Sequence, residues 1–170
     1  MSEQRILLSF PVGGTCFNYR VAGVALRDGH VLVCREDDDD YCMLPGGRVE
    51  MGEASDVALI REMAEELVMD VTVGPLLFTS ESFYGRAGDR FHEMGLIYAI
   101  ELPAEVRPEG EQPFLVREDE GHLLQFSWLK LGSAELAAAR LMPPWLPERL
   151  AALAGVTEHV IFREAEAFTP

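Results

Sequence analysis

The segment 46–69, GGRVEMGEASDVALIREMAEELVM, constrains the fold of this chain more than any other part of it. A glycine turn at Gly46 and Gly47 precedes a stretch whose apolar spacing is typical of one amphipathic helix. Glycine lets the backbone approach a ligand closely, and Gly52 allows a second bend just before Glu53. We therefore expect the turn to fold back on the helix, so that backbone and carboxylates face the same ligand.

A helical wheel divides residues 56–67 into an apolar side and an acidic side. The apolar side, predicted to face the core, holds Val57, Ile60, Ala64 and Leu67, and the acidic side holds Glu62, Glu65 and Glu66. Like charges one turn apart destabilise a helix by roughly 0.2–0.5 kcal/mol per pair, a cost that a bound cation would remove. Three carboxylates within one turn suit Mg²⁺ or Mn²⁺, which prefer oxygen ligands. Arg61, one turn before Glu65, is predicted to orient a ligating carboxylate.

The spacing of these residues resembles the Nudix box, G-x5-E-x7-R-E-U-x-E-E-x-G-U, in which U is apolar. Six of its seven fixed positions match, and the matching residues, with the apolar Met63, are Gly47, Glu53, Arg61, Glu62, Glu65 and Glu66. The departure is Val68, where the pattern has glycine before the apolar Met69. Since every carboxylate lies upstream, we expect Val68 to change the helix exit and the following loop more than the chemistry.

The resemblance implies a Nudix fold, α/β or α+β, with a mixed central β-sheet sandwiched between helices. It implies a single domain over residues 1–170, with short extensions at 1–16 and 154–170. The implied reaction is hydrolysis of a phosphoanhydride in a nucleoside diphosphate linked to another moiety, as in nucleoside triphosphates, nucleotide sugars or dinucleotides. The small-molecule substrate would be bound with Mg²⁺ or Mn²⁺.

Roles for individual residues also follow from the resemblance. The expected metal ligands are Glu62, Glu65, Glu66 and Gly46. Arg61 joins the catalytic group, and the base is left open between Glu65, Glu53 and the later loop residue Glu120.

Substrate contacts are expected from the backbone of Gly46 and Gly47 and from Arg20 and Arg35, which are predicted to lie on paired strands. A guanidinium matches phosphate oxygens, although solvent-facing arginines are an equal alternative. Tyr84 could stack a base or pack in the core. Outside the box, the candidates for a further ligand or base are Glu93, Glu118 and Glu120, with plain surface charge as the alternative. Subgroups specific for ADP-ribose carry proline where this chain has Tyr84 and Gly85, which weighs against that substrate.

Alternating apolar residues and turn signals predict the remaining elements. We expect strands at 17–26, 31–35, 71–83, 91–102, 122–129 and 159–162, and helices at 133–140 and 144–153. Asp28 and Gly29 predict a tight hairpin turn, 85–89 a hairpin loop, Ser133 an N-cap, and 103–120 a long surface loop.

The formal charge of −15 argues against binding to nucleic acid, since such proteins present a basic patch. Three cysteines are too few for a disulfide framework, which favours the reducing cytoplasm. No apolar run reaches the roughly 20 residues of a membrane span, so no membrane partner is expected. The acidic run 37–40 is predicted to be a solvated loop at the rim of the site, and a homodimer is left open.

Two alternatives to hydrolysis follow from the same resemblance. One is a nucleotide-binding regulatory module without turnover, but such modules commonly lose the carboxylates that are complete here. The other is an isoprenoid diphosphate isomerase, which would need an additional catalytic cysteine and glutamate in loops. Cys16, Cys34 and Cys42 are predicted to lie in or beside strands.

Overall fold

The structure, a computed structural model, describes residues 5–119, 121–165 and 167. Its strands are β1 (Ser9–Val12), β2 (Thr15–Val24), β3 (Leu26–Arg27), β4 (His30–Glu36), β5 (Cys42–Met43), β6 (Thr72–Arg86), β7 (Asp89–Glu101), β8 (Leu115–Asp119), β9 (His122–Lys130), β10 (Leu141–Met142) and β11 (Glu158–Arg163). Its helices are α1 (Ser55–Glu66), α2 (Ala134–Ala139) and α3 (Leu146–Ala151). The predicted mixed α+β class is confirmed.

Two mixed sheets form the framework. The first has the order β1-β2-β7-β6-β11, in which β6 and β7 make a long antiparallel hairpin, β2 runs parallel to β7, and β11 runs parallel to β6. The second has the order β10-β5-β4-β9-β8, with β3 attached to β4. The segments expected as terminal extensions carry β1 and β11, which pair with the first sheet.

The turn at Asp28 and Gly29 has φ angles of 49° and 73°, as expected of the predicted tight hairpin. The hairpin, however, joins β4 only to the short β3. Strand β2 ends at Val24 and belongs to the other sheet, while β4 pairs along its length with β9. The prediction that Arg20 and Arg35 lie on paired strands is therefore wrong, because alternation defines a strand but not its partner.

Residues 42–49 connect the two sheets. Strand β5 pairs with β4, where Cys34 lies opposite Met43. A few residues later the same chain pairs with β2: the amide of Val21 donates to the carbonyl of Gly47 at 2.9 Å, and the amide of Val49 donates to Tyr19 at 3.0 Å. The glycine turn is thus held by hydrogen bonds within the sheet framework.

Helix α1 buries an arc that shares only Leu67 with the predicted apolar side. Val57 and Ile60 are 53% and 46% exposed, and Ala64 is also exposed, whereas Leu59 and Met63 are fully buried. The buried residues of the helix and its cap are Ala58, Leu59, Met63 and Leu67. Apolar residues surround much of this helix, so tertiary packing selects the buried arc. As a result Glu62 and Glu66 lie beside the core rather than opposite it.

The exit from α1 also differs from the expectation. Leu67 caps the helix, and Val68 follows with a φ of 55°, in the left-handed region that glycine adopts without strain. The helix therefore ends in a left-handed turn despite the missing glycine, and the substitution adds backbone strain instead of changing the exit.

The second half of the chain follows the predictions with one correction. The predicted loop 103–120 contains β8, which pairs with β9 to form a hairpin. Ser133 caps α2 as predicted, because its hydroxyl oxygen accepts from the amide of Leu136 at 3.0 Å. Both short helices are confirmed in place, although each is shorter than predicted.

No helix in the described part of the chain is long and apolar enough to cross a membrane. The three cysteines are free, and Cys34 and Cys42 are buried.

Candidate active site

Arg61 lies at the centre of an ion-pair network on α1. Its guanidinium donates to both carboxylate oxygens of Glu53 at 2.8 Å, and one nitrogen also reaches Glu62 at 2.8 Å and Glu65 at 3.3 Å. The paired Glu53 raises the pKa of Arg61, and the same hydrogen bonds lower the pKa of Glu53. One half-buried cation thus fixes three carboxylates, in a geometry that suits a positioning residue.

Arg5 supplies a second cation that the sequence did not indicate. It donates to Glu65 at 2.7 Å and lies 2.6 Å from Glu50. The N-terminal segment reaches the site because Leu7 forms a bridge with Glu50, next to the glycine turn. Such pairing between distant segments has no local sequence signal.

Glu66 differs from its neighbours because it is largely buried. Burial raises the pKa of Glu66 to about 8, while the Arg20 guanidinium and the backbone of Gly46 oppose part of that increase. Its Oε2 is buried without a hydrogen-bond partner. Burial also raises the pKa of Glu62, against the opposing effect of Arg61. An unpartnered buried oxygen is costly unless a ligand completes it.

The absence of side chains at Gly46 and Gly47 allows the Glu62 carboxyl group to pack directly against the glycine turn. A Cβ at Gly47 would lie 2.2 Å from the carboxyl carbon of Glu62, so no larger residue fits without displacing that group. Gly46 has a φ of 146°, and a Cβ there would lie 2.2 Å from the carbonyl oxygen of Val21. A hard divalent cation fits this donor set, which combines an orphaned carboxylate oxygen, a second carboxylate and an adjacent backbone turn.

The box carboxylates are nevertheless not gathered around one point. Among the described residues, the group of three potential ligands whose atoms all lie within 4.8 Å of one another is Glu36, Asp37 and His122. Glu65 is instead held by Arg5 and Arg61.

The predicted substrate residues fall into two places. Arg20, on β2, donates to the carbonyl of Leu44 at 3.3 Å, directly before the glycine turn. Tyr84, on β6, donates to Glu93 at 3.1 Å, and Arg20 is close enough to oppose part of the increase in the pKa of Tyr84. The structure thus brings Arg20 beside both the glycine turn and Tyr84.

Arg35 lies elsewhere. It donates to the backbone carbonyl of Asp39 and lines a cavity of about 400 Å³ with Trp128 and Ala139. Glu118 lies on β8, and Glu120 lies outside the described residues.

The acidic run 37–40 is a loop with Asp37, Asp38 and Asp40 exposed, as predicted, and it also forms ion pairs and hydrogen bonds. Asp37 accepts from the amide of Leu123 at 2.8 Å and from His122 at 2.8 Å. Asp39 pairs with Arg86 at 3.2 Å, and Asp40 pairs with Arg140. Three of its four aspartates are therefore fastened to later parts of the chain.

Comparison with known proteins agrees with the family resemblance seen in the sequence. A family model described as NUDIX domain matches residues 18–150. The solution structure of the E. coli ORF135 protein is 24% identical, with a TM-score of 0.52, and the match covers 85% of this chain and 95% of that one. The MutT protein from Bacillus halodurans is 16% identical, with a TM-score of 0.55 and coverage of 89% and 93%. A UDP-X diphosphatase is 14% identical, with a TM-score of 0.56 and coverage of 84% and 66%. A comparison with curated proteins gave no match.

Proposed function

The chain belongs to the Nudix family, and we propose that it hydrolyses a phosphoanhydride bond in a nucleoside diphosphate linked to another moiety. The observation that carries this proposal is Glu66, whose buried oxygen has no partner and lies beside Glu62 and the glycine turn. A purely structural helix would gain nothing from burying such a group, because a buried unpaired carboxylate destabilises the fold. A site that binds a cation and a diphosphate accounts for it.

In this proposal Glu62, Glu65, Glu66 and the backbone of Gly46 hold Mg²⁺ or Mn²⁺. When bound, the metal neutralises charge on the diphosphate and lowers the pKa of an attacking water. Arg61 keeps the carboxylates oriented through the contacts described above.

The other residues bind substrate and accept the proton. Arg20 and the amides of the glycine turn contact the phosphates, since a guanidinium matches phosphate oxygens. Glu53 is a weak candidate for the base because Arg61 engages both of its oxygens and lowers its pKa. Glu65 is more accessible, with 41% of its side chain exposed against 14% for Glu53. Arg5 and Arg61 each engage one oxygen of Glu65, which also serves as a metal ligand in this proposal, so the base stays open between Glu65, Glu53 and Glu120.

The test is phosphate release from a panel of nucleoside triphosphates, nucleotide sugars, ADP-ribose, dinucleotides and diadenosine polyphosphates, with and without added phosphatase. UDP-linked compounds belong in the panel because a protein of this fold is named UDP-X diphosphatase. Reactions would contain Mg²⁺ or Mn²⁺, and three free cysteines are in keeping with assay under the reducing conditions of a cytoplasm.

Two variants make the result specific. Glu66→Gln replaces the buried carboxyl group with an amide and should lower turnover by roughly 100-fold or more, beyond the 10–100-fold typical of residues that only orient a ligand. Glu148→Gln, which changes an exposed carboxylate of α3, should leave turnover unchanged. Full activity of Glu66→Gln would refute the metal assignment. No turnover of any compound, together with a nucleotide-dependent increase in Tm, would indicate a binding module.

A further inference from the structure

One face of the first sheet changes from apolar to polar towards the β6–β7 turn. Paired residues of neighbouring strands share a face, and successive rows on that face are two residues, or about 7 Å, apart. The apolar row is Ala22, Ile97 and Phe78; the next is Arg20, Gly95 and Ser80; and the third is Asn18, Glu93 and Ser82. The polar rows therefore continue directly from the core.

Three polar side chains of these rows are buried, whereas Arg20 and Glu93 are partly exposed. Asn18 is 4% exposed, Ser80 4% and Ser82 5%, and these are the buried polar residues of the described chain. Gly95 makes room for this surface, because a Cβ there would lie 2.5 Å from the hydroxyl oxygen of Ser80. The side-chain oxygen of Asn18 accepts a hydrogen bond from the Ser9 hydroxyl at 2.6 Å, which fixes the orientation of this part of the surface.

Glu93 is the acidic residue of these rows. The Tyr84 hydroxyl donates to its Oε2 at 3.1 Å, and burial, followed by the nearby Glu93, raises the pKa of Tyr84, so the phenol keeps its proton. The Tyr84 ring stacks on Phe91 with centroids 5.2 Å apart and an angle of 12° between planes. The carboxylate is thus oriented and still has lone pairs to accept further hydrogen bonds.

Arg20 connects this surface to the diphosphate site. Its guanidinium is close enough to oppose the increases in the pKa of both Glu66 and Tyr84. It lies one row from Glu93, and its contact with Leu44 places it beside the glycine turn. A ligand with phosphates on Arg20 would extend its next group over Glu93.

We propose that Glu93 accepts hydrogen bonds from the ribose hydroxyls of the substrate nucleoside and so selects ribonucleotides over 2′-deoxyribonucleotides. The inference rests on the proposed function for the position of the phosphates. An ionised carboxylate only accepts hydrogen bonds, and a carboxylate on the 2′-hydroxyl is an established way for proteins to recognise ribose. A site built for a hydroxyl rejects the analogue that lacks it, because its own polar group is left unpaired.

The experiment measures binding of ADP, 2′-deoxy-ADP, GDP and 2′-deoxy-GDP in Mg²⁺ by isothermal titration calorimetry. We expect the wild-type protein to bind each ribonucleotide at least tenfold more tightly than its deoxy partner. Glu93→Gln should reduce that ratio below threefold. Glu81→Gln is the matched control, because Glu81 lies on the same sheet in the alternate register, opposite Met94, and pairs with His159.

Several outcomes would overturn the proposal. Equal binding of ribo and deoxy pairs by the wild-type protein would do so, as would an unchanged ratio in Glu93→Gln. A preference for guanine that is lost in Glu93→Gln, without loss of the ribose preference, would show that the carboxylate contacts the base instead. Urea denaturation of each variant confirms folding. A ribose preference without hydrolysis of any compound would refute the proposed function alone.

Discussion

Val68 provides a direct test of the helix exit. It is a β-branched residue with a φ of 55°, and it stands at the one fixed position where the chain departs from the box pattern. We predict that Val68→Gly stabilises the protein. The change relieves the left-handed conformation and removes a side chain that is 59% exposed, so it sacrifices little burial.

The magnitude follows from opposing effects. A non-glycine residue in the left-handed region costs about 1–3 kcal/mol. Glycine also increases the conformational entropy of the unfolded chain, which lowers the free energy of unfolding by about 0.4–1 kcal/mol. The net expectation is about 1 kcal/mol, which corresponds to an increase in Tm of roughly 2–4 °C for a chain of this size.

Urea denaturation in metal-free buffer would measure the free energy of unfolding, with Val68→Ala as the control. Alanine also removes the β-branch but keeps a Cβ in the left-handed region. The free energy of unfolding of Val68→Gly should therefore be about 1 kcal/mol higher than that of Val68→Ala. If alanine were the more stabilising substitution, the left-handed assignment at position 68 would be wrong. Turnover should change little in either variant, because the carboxylates lie upstream.

Other substitutions probe the turn and the ion pairs. Gly46→Ala should strongly destabilise the protein, because the new Cβ meets the backbone of the neighbouring strand, and urea unfolding would detect this. Gly47→Ala meets only the end of the Glu62 side chain, so it should lower activity while largely preserving stability; equal losses of stability in both variants would contradict this distinction. Arg61→Lys cannot make the paired contacts with Glu53 and should weaken Mn²⁺ binding about 10–100-fold, as measured by titration; unchanged affinity would exclude a positioning role.

The strands and turns could be predicted because their signals are local. Asp28 and Gly29 have the left-handed conformations that the sequence indicated, and the long hairpin turns at Ala87 and Gly88 in the same way. Strand partners could not be predicted from alternation. Strand β2 pairs with β7, about 75 residues away, whereas the neighbouring β4 belongs to the other sheet.

The prediction of the buried face of α1 was mostly wrong, and the reason is physical. The segment has apolar residues on more than one side, and the helical wheel placed the carboxylates opposite the side taken as the core. In the structure the glycine turn covers part of the helix and encloses Glu62 and Glu66. The box spacing thus identified the site, but the burial that gives Glu66 its raised pKa depends on the folded chain.

Contacts between distant segments were the least accessible to prediction. Arg5 reaches Glu65 across 60 residues, and this pairing depends on the bridge of Leu7 with Glu50. The Tyr84 and Glu93 pair, by contrast, follows from the hairpin register, in which Phe91 lies opposite Tyr84 and Glu93 opposite Ser82. A correct register would have placed Glu93 beside Tyr84.

The crossing of residues 42–49 from one sheet to the other couples the chemistry to the mechanical alignment of the whole molecule. The glycine turn is anchored by β4 at one end and by β2 at the other, so any sliding of the sheets moves the turn relative to α1. A truncated side chain deep beneath either sheet would then shift the glycine turn relative to Glu62 from a distance. Core residues that never touch a ligand thereby control how the glycine turn is aligned with α1.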